Sequence, residues 1–318
     1  MSELSFEGVT VRFGTRRRGM TAVDGVDLTI PDGQVVGLVG ESGSGKSTLA
    51  RAAVGLVPVT GGRIVLDGHP VGRSRRALQM VFQDPYSALD PRMTVGDSIA
   101  EALARSVRDR RAEVARLLGL VDLGGECARL YPAQLSGGQR QRVGLARALA
   151  GDPAVIIADE ITSALDVSIQ GTVLNLVRDL QRQMRLSMLF ISHNLAVIRY
   201  VSDVIAVMYL GRIVEYGPAE DVLTDPQHPY TRELLAAAGD PASQTPPAVA
   251  DTEPADPHHP PSGCRFHPRC PIGPLVLGDR DICEHTEPAT EGHRHQAACH
   301  FATPLDRGET GDTTPAHR

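Results

Sequence analysis

The sequence predicts an α/β fold in which a mostly parallel sheet is flanked by helices. Short apolar segments of strand length, Gln34–Val39, Ala154–Ala158 and Met188–Ile191, alternate with longer stretches of helical periodicity. This alternation is typical of parallel strands joined by crossover helices. A helical insertion and a cysteine-bearing C-terminal segment interrupt the pattern, so we expect smaller units beside the main sheet.

Length and composition limit the class of protein. A chain of 318 residues can bury a sizeable core, and its 32 basic and 38 acidic residues leave a net charge of −6. That balance argues against a general nucleic-acid binder, which usually carries a strong basic excess. Met1–Thr10 lacks the pattern of a secretory signal, and the longest apolar run, Val204–Leu210, is far shorter than the ~18 residues of a membrane helix. We expect a soluble, cytosolic chain that reaches membranes only through partners.

Two further strand signals lie outside the main alternation. Ile64–Leu66 predicts a short strand. Val204–Leu210 and Ile213–Tyr216 predict a hairpin, because a turn containing Gly211 separates two apolar runs.

Two segments have helical periodicity. Ile99, Leu103 and Val107 recur every four residues and are followed by the apolar positions of Val114–Leu118, which predicts a helical insertion. A second stripe, from Ile169 to Leu180, predicts a helix that faces the core.

A glycine-rich loop predicts a phosphate-binding site. The run Gly40–Ser47 follows the apolar strand Val35–Val39 and precedes the helical pattern Thr48–Val57, which is the context such a loop needs. Its backbone N–H groups can surround phosphates, and the helix N-terminus adds a positive dipole end. Lys46 is expected to reach the β- and γ-phosphates, and the Ser47 hydroxyl to ligate Mg²⁺. The loop residues expected to bind nucleotide are Gly40, Glu41, Ser42, Gly43, Ser44, Gly45, Lys46, Ser47 and Thr48.

Acidic and imidazole groups follow two of the predicted strands. The run Val155–Ile157 continues through Ala158 to Asp159 and Glu160, and neighbouring strand residues point to opposite faces, so the two acids are expected to differ in role. His193 follows the next strand, and ligands gather at the carboxyl ends of parallel strands. Alternatively, Asp159 and Glu160 are only an exposed acidic end of a strand, and His193 has only a structural role.

One short run narrows the family. Leu135–Gln139 reads LSGGQ and resembles the signature sequence of ABC-type ATPases. Phe13, Gln83, the run Ser163–Asp166 and His193 occur in the order that this family shows. The resemblance covers roughly the first 240 residues and identifies the sequence as a member of the nucleotide-binding subunits of ABC transporters. It implies a P-loop (RecA-like) ATPase core with antiparallel β and helical subdomains, plus a small Cys-rich C-terminal extension.

The resemblance implies roles for the residues around the phosphates. Asp159 would order the magnesium shell, and Glu160 would polarise the attacking water as general base. His193 would contact the γ-phosphate, and Gln83 would link the γ-phosphate site to a transmembrane subunit. The implied catalytic residues are Glu160, His193, Gln83 and Lys46, and the implied Mg²⁺ ligands are Ser47, Gln83 and Asp159.

Two positions fit the family pattern less closely. Phe13 stands where the family places an aromatic ring that stacks on adenine. The alternatives are that Phe6 stacks on adenine instead or that Phe13 is packed in the core. Ile161 stands where the family usually has proline after the glutamate. We expect this change to alter loop stiffness without abolishing activity.

The family's head-to-tail dimer implies a second half of the site. Each ATP would lie between the phosphate loop of one subunit and Ser136, Gly137, Gly138 and Asp166 of the other. The two glycines permit close backbone approach. Ser136 is expected both to cap the helix Gln139–Ala150 and to donate to the γ-phosphate.

Two longer runs point within the superfamily. Val81–Arg92 and His228–Leu235 resemble the ATPases of oligopeptide/dipeptide importers. The resemblance implies two transmembrane permease subunits, a second ATPase subunit that is either a paralogue or a copy of this chain, and an extracellular substrate-binding protein. It places the chain at the cytoplasmic face of the cell membrane as a peripheral subunit, with no nucleic-acid partner. Nickel, glutathione or sugars remain alternative cargoes.

Two other function classes fit the sequence less well. A soluble ABC-type ATPase acting on ribosomes or DNA is disfavoured, because translation relatives usually carry two ATPase modules and DNA-repair relatives carry large insertions. A binding module that has lost hydrolysis is disfavoured because Glu160, His193 and Gln83 are all present.

The pattern suggests four segments. We expect a nucleotide-binding domain over 1–238 with a helical subdomain at about 87–149, a Pro-rich linker over 239–263, a Cys-rich extension over 264–303, and a polar tail over 304–318. Seven of the 25 linker residues are proline, a composition typical of extended linkers.

Four cysteines crowd the extension, and disulfides are not expected in a cytosolic chain. They are Cys264, Cys270, Cys283 and Cys299, separated by 5, 12 and 15 residues. No C-x2-C pair occurs, so a zinc knuckle fits poorly. The resemblance to oligopeptide/dipeptide importers implies a further possibility, because certain members of that family hold a 4Fe–4S cluster in such an extension. A 4Fe–4S cluster, zinc with help from His267 or His300, and no metal therefore all stay open. Cys127 is expected to be a packed thiol.

Overall fold

The computed structural model describes residues 2–15, 18–71, 77–84, 88–163, 165–238, 256–290 and 294–302. The strands are β1 (Leu4–Thr15), β2 (Arg18–Ile30), β3 (Val35–Val39), β4 (Gly61–Leu66), β5 (His69–Pro70), β6 (Leu78–Val81), β7 (Val155–Asp159), β8 (Ser187–Ile191), β9 (Val204–Tyr209), β10 (Arg212–Pro218) and β11 (Gln296–Ala297). They form a four-stranded sheet in the order β2-β1-β4-β5 and a seven-stranded sheet in the order β11-β10-β9-β3-β8-β7-β6.

Helices cover the larger sheet. They are α1 (Lys46–Ala53), α2 (Val95–Ala102), α3 (Arg110–Leu120), α4 (Gly137–Leu149), α5 (Val167–Met184), α6 (Leu195–Val201), α7 (Ala219–Thr224), α8 (Pro229–Ala237) and α9 (Ile282–His285). Short 3-10 helices lie at Gly125–Arg129, Pro132–Gln134 and His267–Arg269. Within the described ranges no helix has the length and apolar character needed to cross a membrane.

The central strands of the larger sheet are parallel and buried. β3 pairs in parallel with β8 and β9, and β7 pairs in parallel with β6 and β8. Every residue of β3, β7 and β8 is buried. Helices cover one face of these strands, and α1 with the four-stranded sheet covers the other, which explains why the segments are continuous apolar runs. The predicted α/β fold class is confirmed. The predicted bounds of β3, β7 and β8 are within one residue of those observed, whereas β4 begins three residues before the predicted Ile64–Leu66 and β10 extends two residues past the predicted Ile213–Tyr216.

The sequence patterns did not reveal β1 and β2, the two longest strands. They pair antiparallel from Leu4 opposite Ile30 to Thr15 opposite Arg18, with register shifts between Phe6 and Val9. Leu4 and Phe6 are buried, and after the shift Val9 and Val11 are buried. The irregularity moves the buried positions from even to odd numbers, so the period-two alternation that reveals a strand is interrupted.

The helical segment between β6 and β7 is broken where the sequence predicted continuity. Helix α2 ends at Ala102, and Leu103 has an extended backbone with ψ of 144°. A new helix, α3, begins after Asp109, whose side chain accepts from the N–H of Ala112. Leu103 and Val107 lie in a loop but pack on the same hydrophobic core as α2. The four-residue spacing of apolar residues therefore extends beyond the end of the helix.

The C-terminal extension packs onto the larger sheet. β11 pairs antiparallel with β10, with Glu215 opposite Ala297. Phe266 is fully buried, and its ring lies 5.4 Å from the ring of Tyr209 and 5.5 Å from that of Tyr230. The extension therefore shares the hydrophobic core of the sheet.

A buried carboxylate ties the extension to α8. Glu215 has no exposed surface. It accepts hydrogen bonds from the N–H of Gln227 at 2.6 Å and of His228 at 3.0 Å, and His295 Nε2 lies 2.7 Å from it. These contacts satisfy a charge that would otherwise be costly to bury.

The burial of His228 should make the free energy of unfolding depend on pH. Burial lowers the pKa of His228 to about 4, the Glu215 carboxylate opposes this shift, and Arg232 reinforces it. Because the pKa in the folded chain lies below the unfolded value, stability is fully present above the unfolded pKa and falls as the pH drops toward 4.

We expect the chain to lose roughly 2 kcal/mol between pH 7 and pH 5 through this one group. The variant His228→Asn retains a side-chain acceptor for the N–H of Tyr230, which His228 Nδ1 now accepts at 3.1 Å, and cannot titrate. Urea unfolding of both proteins at the two pH values measures the difference. Equal losses in the two proteins would contradict this origin.

Candidate active site

The phosphate loop lies so close to neighbouring strands that two of its positions require glycine. Gly40 has φ of +153°, and a Cβ there would lie 2.1 Å from the carbonyl oxygen of Met208. Gly45 has φ of +107°, and its Cβ would lie 2.3 Å from the carbonyl oxygen of Ala22. Backbone cannot retreat as a flexible side chain can, so both positions exclude other residues. The strands thereby hold the loop at the start of α1.

Lys46 lies buried at the centre of this loop. Its Nζ donates to the carbonyl oxygens of Gly40 at 2.8 Å and Glu41 at 2.7 Å, and to Ser44 Oγ at 3.2 Å. Burial lowers the pKa of Lys46, while the carboxylates of Glu160, Asp159 and Glu41 oppose that shift. The carboxylates around the ammonium keep a cation at the point where phosphate oxygens would enter.

Ser47 and Asp159 bring two oxygen ligands together. Ser47 Oγ donates to Asp159 Oδ1 at 3.0 Å, and Asp159 is buried at the end of β7. Burial raises the pKa of Asp159, and the hydrogen bond from Ser47 lowers it. A hydroxyl and a carboxylate are the hard oxygen ligands that Mg²⁺ prefers, so these two of the three predicted ligands fit the ion. The role of Gln83 as the third ligand stays a prediction.

Two predicted catalytic residues contact the carboxylate of a third, Glu160. Gln83 Nε2 donates to Glu160 Oε2 at 2.9 Å, and His193 Nδ1 lies 3.3 Å from Glu160 Oε1. Glu160 follows β7, His193 follows β8 and Gln83 follows β6. Because these strands are parallel, the three side chains meet at one edge of the sheet.

Contrary to the sequence prediction, Asp159 and Glu160 are not neighbours within one strand. Strand alternation does not apply, since β7 ends at Asp159 and Glu160 has φ of +48°. This left-handed conformation is costly for a residue with a side chain, and such strain clusters at functional sites. The Glu160 N–H donates to the carbonyl oxygen of Ile191 at 3.0 Å, which holds the bend against the neighbouring strand.

Ser163 supports Glu160 and was not given its own role from the sequence. Its Oγ donates to the Glu160 carbonyl oxygen at 2.9 Å and accepts from Gln83 Nε2 at 3.3 Å. The available signal was its position three residues after the glutamate, where a hydroxyl can close a turn. Ile161, between them, is buried in the core, and its effect on loop stiffness stays a prediction.

The residues expected to act on a second subunit form a separate group. Ser136 caps α4 as predicted: its Oγ accepts from the Gln139 N–H at 3.2 Å, and its own N–H donates to Gln139 Oε1 at 2.9 Å. Asp166 caps α5 by accepting from the N–H of Ile169 at 3.0 Å. The hydrogen bonds from the Ile169 N–H and the Ser168 hydroxyl lower the pKa of Asp166. The cap turns both side chains toward the N-termini of their helices.

The two caps adjoin each other. A Cβ on Gly138 would lie 2.5 Å from Ile169 Cγ2, and one on Gly137 would lie 3.6 Å from Leu165 Cδ2. Among the parts of the chain that the structure describes, no hydrogen bond or ion pair joins Ser136 or Asp166 to the phosphate loop. Their role in a partner's site stays a prediction.

The candidate adenine ring contact is exposed. The Phe13 side chain on β1 is 41% exposed, whereas Phe6 on the same strand is 2% exposed. Phe6 is thus a core residue, and core packing does not account for Phe13. Stacking of Phe13 on adenine stays a prediction.

The four cysteines of the extension line one small cavity. Its volume is about 10 Å³, it is also lined by His267 and His300, and that volume has room for one water molecule. Burial raises the pKa of Cys264 to about 11 and that of Cys270 to about 12. Within the described residues, no group of three or more His, Cys, Asp or Glu is arranged to hold a metal ion. The described residues therefore form no preformed site for the predicted 4Fe–4S cluster of Cys264, Cys270, Cys283 and Cys299 or for the zinc alternative, and both stay predictions. Cys127 is a separate buried thiol, as predicted.

Comparisons with known proteins agree with this site. A family model described as "ABC transporter" matches residues 23–163, and one described as "Oligopeptide/dipeptide transporter, C-terminal region" matches residues 214–273. The Di/tripeptide transport ATP-binding protein DppF of Pseudomonas aeruginosa (strain UCBPP-PA14) is 46% identical over 296 residues, which cover 88% of this chain and 90% of that protein.

Solved structures with similar folds are ATP-binding cassettes. The cassette MJ0796, in a dimeric post-hydrolysis state bound to ADP and Pi, superimposes with a TM-score of 0.61 at 28% identity and covers 68% of this chain and 98% of its own. CbiO1 from Clostridium perfringens, part of the ABC transporter complex cbiONQ, gives a TM-score of 0.62 at 26% identity and covers 70% of this chain and 90% of its own.

Removing the carboxylate at the centre of the site should stop turnover without stopping binding. Glu160→Gln keeps the size of the side chain but removes the base, so we expect ATP hydrolysis to fall by about 10²- to 10⁴-fold. ATP affinity should change little, because Lys46 and Ser47 are intact. Phosphate release and equilibrium ATP binding measure the two effects. The exposed Glu220→Gln on α7 is the matched control, and normal turnover in Glu160→Gln would remove Glu160 as the base.

Proposed function

We propose that this chain, which belongs to the ATP-binding subunits of ABC transporters of the oligopeptide/dipeptide import family, hydrolyses ATP to power the uptake of peptides. One observation carries the proposal: Gln83, Glu160 and His193 converge beside a phosphate loop whose Lys46 is already fixed at its centre. A site that only bound nucleotide would not need a carboxylate oriented from two sides.

Each group has one task in hydrolysis. Lys46 and the loop N–H groups bind the β- and γ-phosphates, and Ser47 and Asp159 would hold Mg²⁺, which when bound neutralises phosphate charge. Glu160 accepts a proton from the attacking water. Gln83 and Ser163 hold the glutamate in its left-handed bend, so the carboxylate orientation is set before the nucleotide binds.

The arrangement supports a site completed by a second ATPase subunit. Ser136, Gly137 and Gly138 lie at the N-terminus of α4, which has a positive dipole end and small residues, so they suit a negatively charged γ-phosphate. Asp166 caps the adjoining α5 and, as an anion, would contact donor groups of the partner's site instead of the phosphate. Two such contacts in a head-to-tail dimer would favour its closed state. Swinging a two-state equilibrium from 1:99 to 99:1 requires about 5.5 kcal/mol of differential affinity.

The proposed assembly follows from the family. The chain would act at the cytoplasmic face of the membrane as a peripheral subunit, bound to two permease subunits and served by an extracellular substrate-binding protein. The match of residues 214–273 to the C-terminal region of oligopeptide/dipeptide transporters supports peptides as cargo. Gln83 would transmit the state of the γ-phosphate to the permease.

An affinity purification tests the assembly. The tagged chain is purified from detergent-solubilised membranes of its own cells, with untagged cells as the control, and co-purifying proteins are identified by mass spectrometry. We expect two multi-spanning proteins, a second ATPase and an external binding protein. Ribosomal or DNA-repair proteins without any membrane protein would contradict import and leave the ATPase activity standing.

We propose separately that the four cysteines of the extension bind a 4Fe–4S cluster. The support is that the fold brings all four to one cavity in which three of them are buried. Cysteine thiolates are the ligands of such clusters.

Oxygen-free purification followed by iron and sulfide analysis tests the cluster. We expect about four irons per chain, as a 4Fe–4S cluster requires, and their loss in Cys270→Ser but not in Cys127→Ser. A colourless, iron-free chain with five titratable thiols would exclude the cluster, and bound zinc without sulfide would establish the zinc alternative in its place.

A further inference from the structure

A residue of the C-terminal extension contacts the phosphate loop. Arg269, in the 3-10 helix His267–Arg269, donates from Nη1 to Glu41 Oε2 at 3.2 Å, and its Nη2 lies 3.1 Å from Glu41 Oε1. Glu41 is the second residue of the loop Gly40–Ser47. The two residues are 228 positions apart.

Glu41 is held at three points. Its N–H donates to Tyr230 Oη at 2.8 Å, its carbonyl oxygen accepts from Lys46 Nζ at 2.7 Å, and its carboxylate is paired with Arg269. Glu41, whose carbonyl oxygen accepts a hydrogen bond from the Lys46 ammonium, is therefore anchored by α8 and by the extension.

Arg269 has little freedom to leave this position. It also pairs with Glu233 of α8, and its side chain is only 16% exposed. Its guanidinium carbon lies 5.7 Å from the centre of the Phe266 ring, and Phe266 is fully buried. The cation is thus fixed by two carboxylates and one aromatic ring.

The charge of Glu41 matters for nucleotide binding. Its carbonyl oxygen contacts Lys46 Nζ, and its carboxylate opposes the lowering of the lysine's pKa by burial. The carboxylate therefore lies within electrostatic reach of any phosphate that Lys46 binds. An unneutralised Glu41 would repel a triphosphate and would compete with it for Lys46.

We infer that Arg269 is a positioning residue of the ATP site: it neutralises Glu41 and holds the start of the phosphate loop for the triphosphate. This inference rests on the ATP site proposed above. It makes the extension a working part of nucleotide binding in the same chain, whether or not its cysteines hold a metal.

A charge-rescue cycle tests the inference on the full-length chain. Binding of the fluorescent analogue mant-ATP with Mg²⁺ is measured for wild type, Arg269→Gln, Glu41→Gln and the double variant. We expect Arg269→Gln to weaken binding about tenfold, the size of one hydrogen bond between charged groups. Glu41→Gln should strengthen binding, because it removes a negative charge beside Lys46. The double variant should bind more tightly than Arg269→Gln, because no carboxylate is left to neutralise.

Arg265→Gln is the matched control. Arg265 lies in the same extension, between Cys264 and Cys270, but pairs with Asp24 instead of the phosphate loop. We expect it to lower the thermal unfolding temperature as much as Arg269→Gln does, without changing mant-ATP affinity. Arg269→Lys, which keeps the charge, should lie between wild type and Arg269→Gln and covers the case in which the glutamine variant does not fold.

Two results would overturn the inference: wild-type affinity in Arg269→Gln, or a double variant that binds as weakly as Arg269→Gln alone. Failure of the underlying ATP site gives a different result. If Lys46→Ala binds mant-ATP like wild type, the proposed site itself is wrong, and the behaviour of Arg269 then has no bearing on it.

Discussion

The parallel alignment of the central strands is the constraint on which the site depends. Parallel strands place their carboxyl ends at one edge of the sheet, so the loop after β3, Glu160 after β7 and His193 after β8 are brought together by the backbone pairing alone. The close approach of Gly40 and Gly45 to neighbouring backbone then fixes the phosphate loop at that edge. The direction of the strands brings these residues to one edge of the sheet, and side-chain hydrogen bonds then orient them there.

The electrostatics of this edge are dominated by negative charge. One buried ammonium, Lys46, is surrounded by the carboxylates of Asp159, Glu160 and Glu41, and a nucleotide would add further negative charge. The proposed Mg²⁺ would account for Asp159, and the proposed catalytic role would account for Glu160. Glu41 has neither explanation, and the cation that balances it comes from the extension, through Arg269. The charge of the site is thus completed by a segment far along the chain.

The extension is joined to the nucleotide-binding core by backbone pairing, aromatic packing and charge. β11 adds a strand to the larger sheet, Phe266 enters the aromatic cluster, and His295 contacts the buried Glu215. A segment with little apolar core of its own gains stability by burial against a larger unit. The same contacts hold Arg269 against the phosphate loop, so stability and nucleotide binding share one interface.

Motif residues could be predicted from the sequence because their chemistry depends on local order: Gly40–Ser47 needs only a strand before it and a helix after it, and Ser136 caps a helix that begins beside it. Strand alternation failed at β1, where a register shift interrupts the period, and it misassigned Glu160, whose left-handed φ results from tertiary contact with β8. No local pattern could pair Glu41 with Tyr230 and Arg269, which are 189 and 228 positions away. The sequence by itself determined which chemical groups are proposed to act on the phosphates. Only the tertiary structure decided how they are held and neutralised, because those contacts join segments that have no relation along the chain.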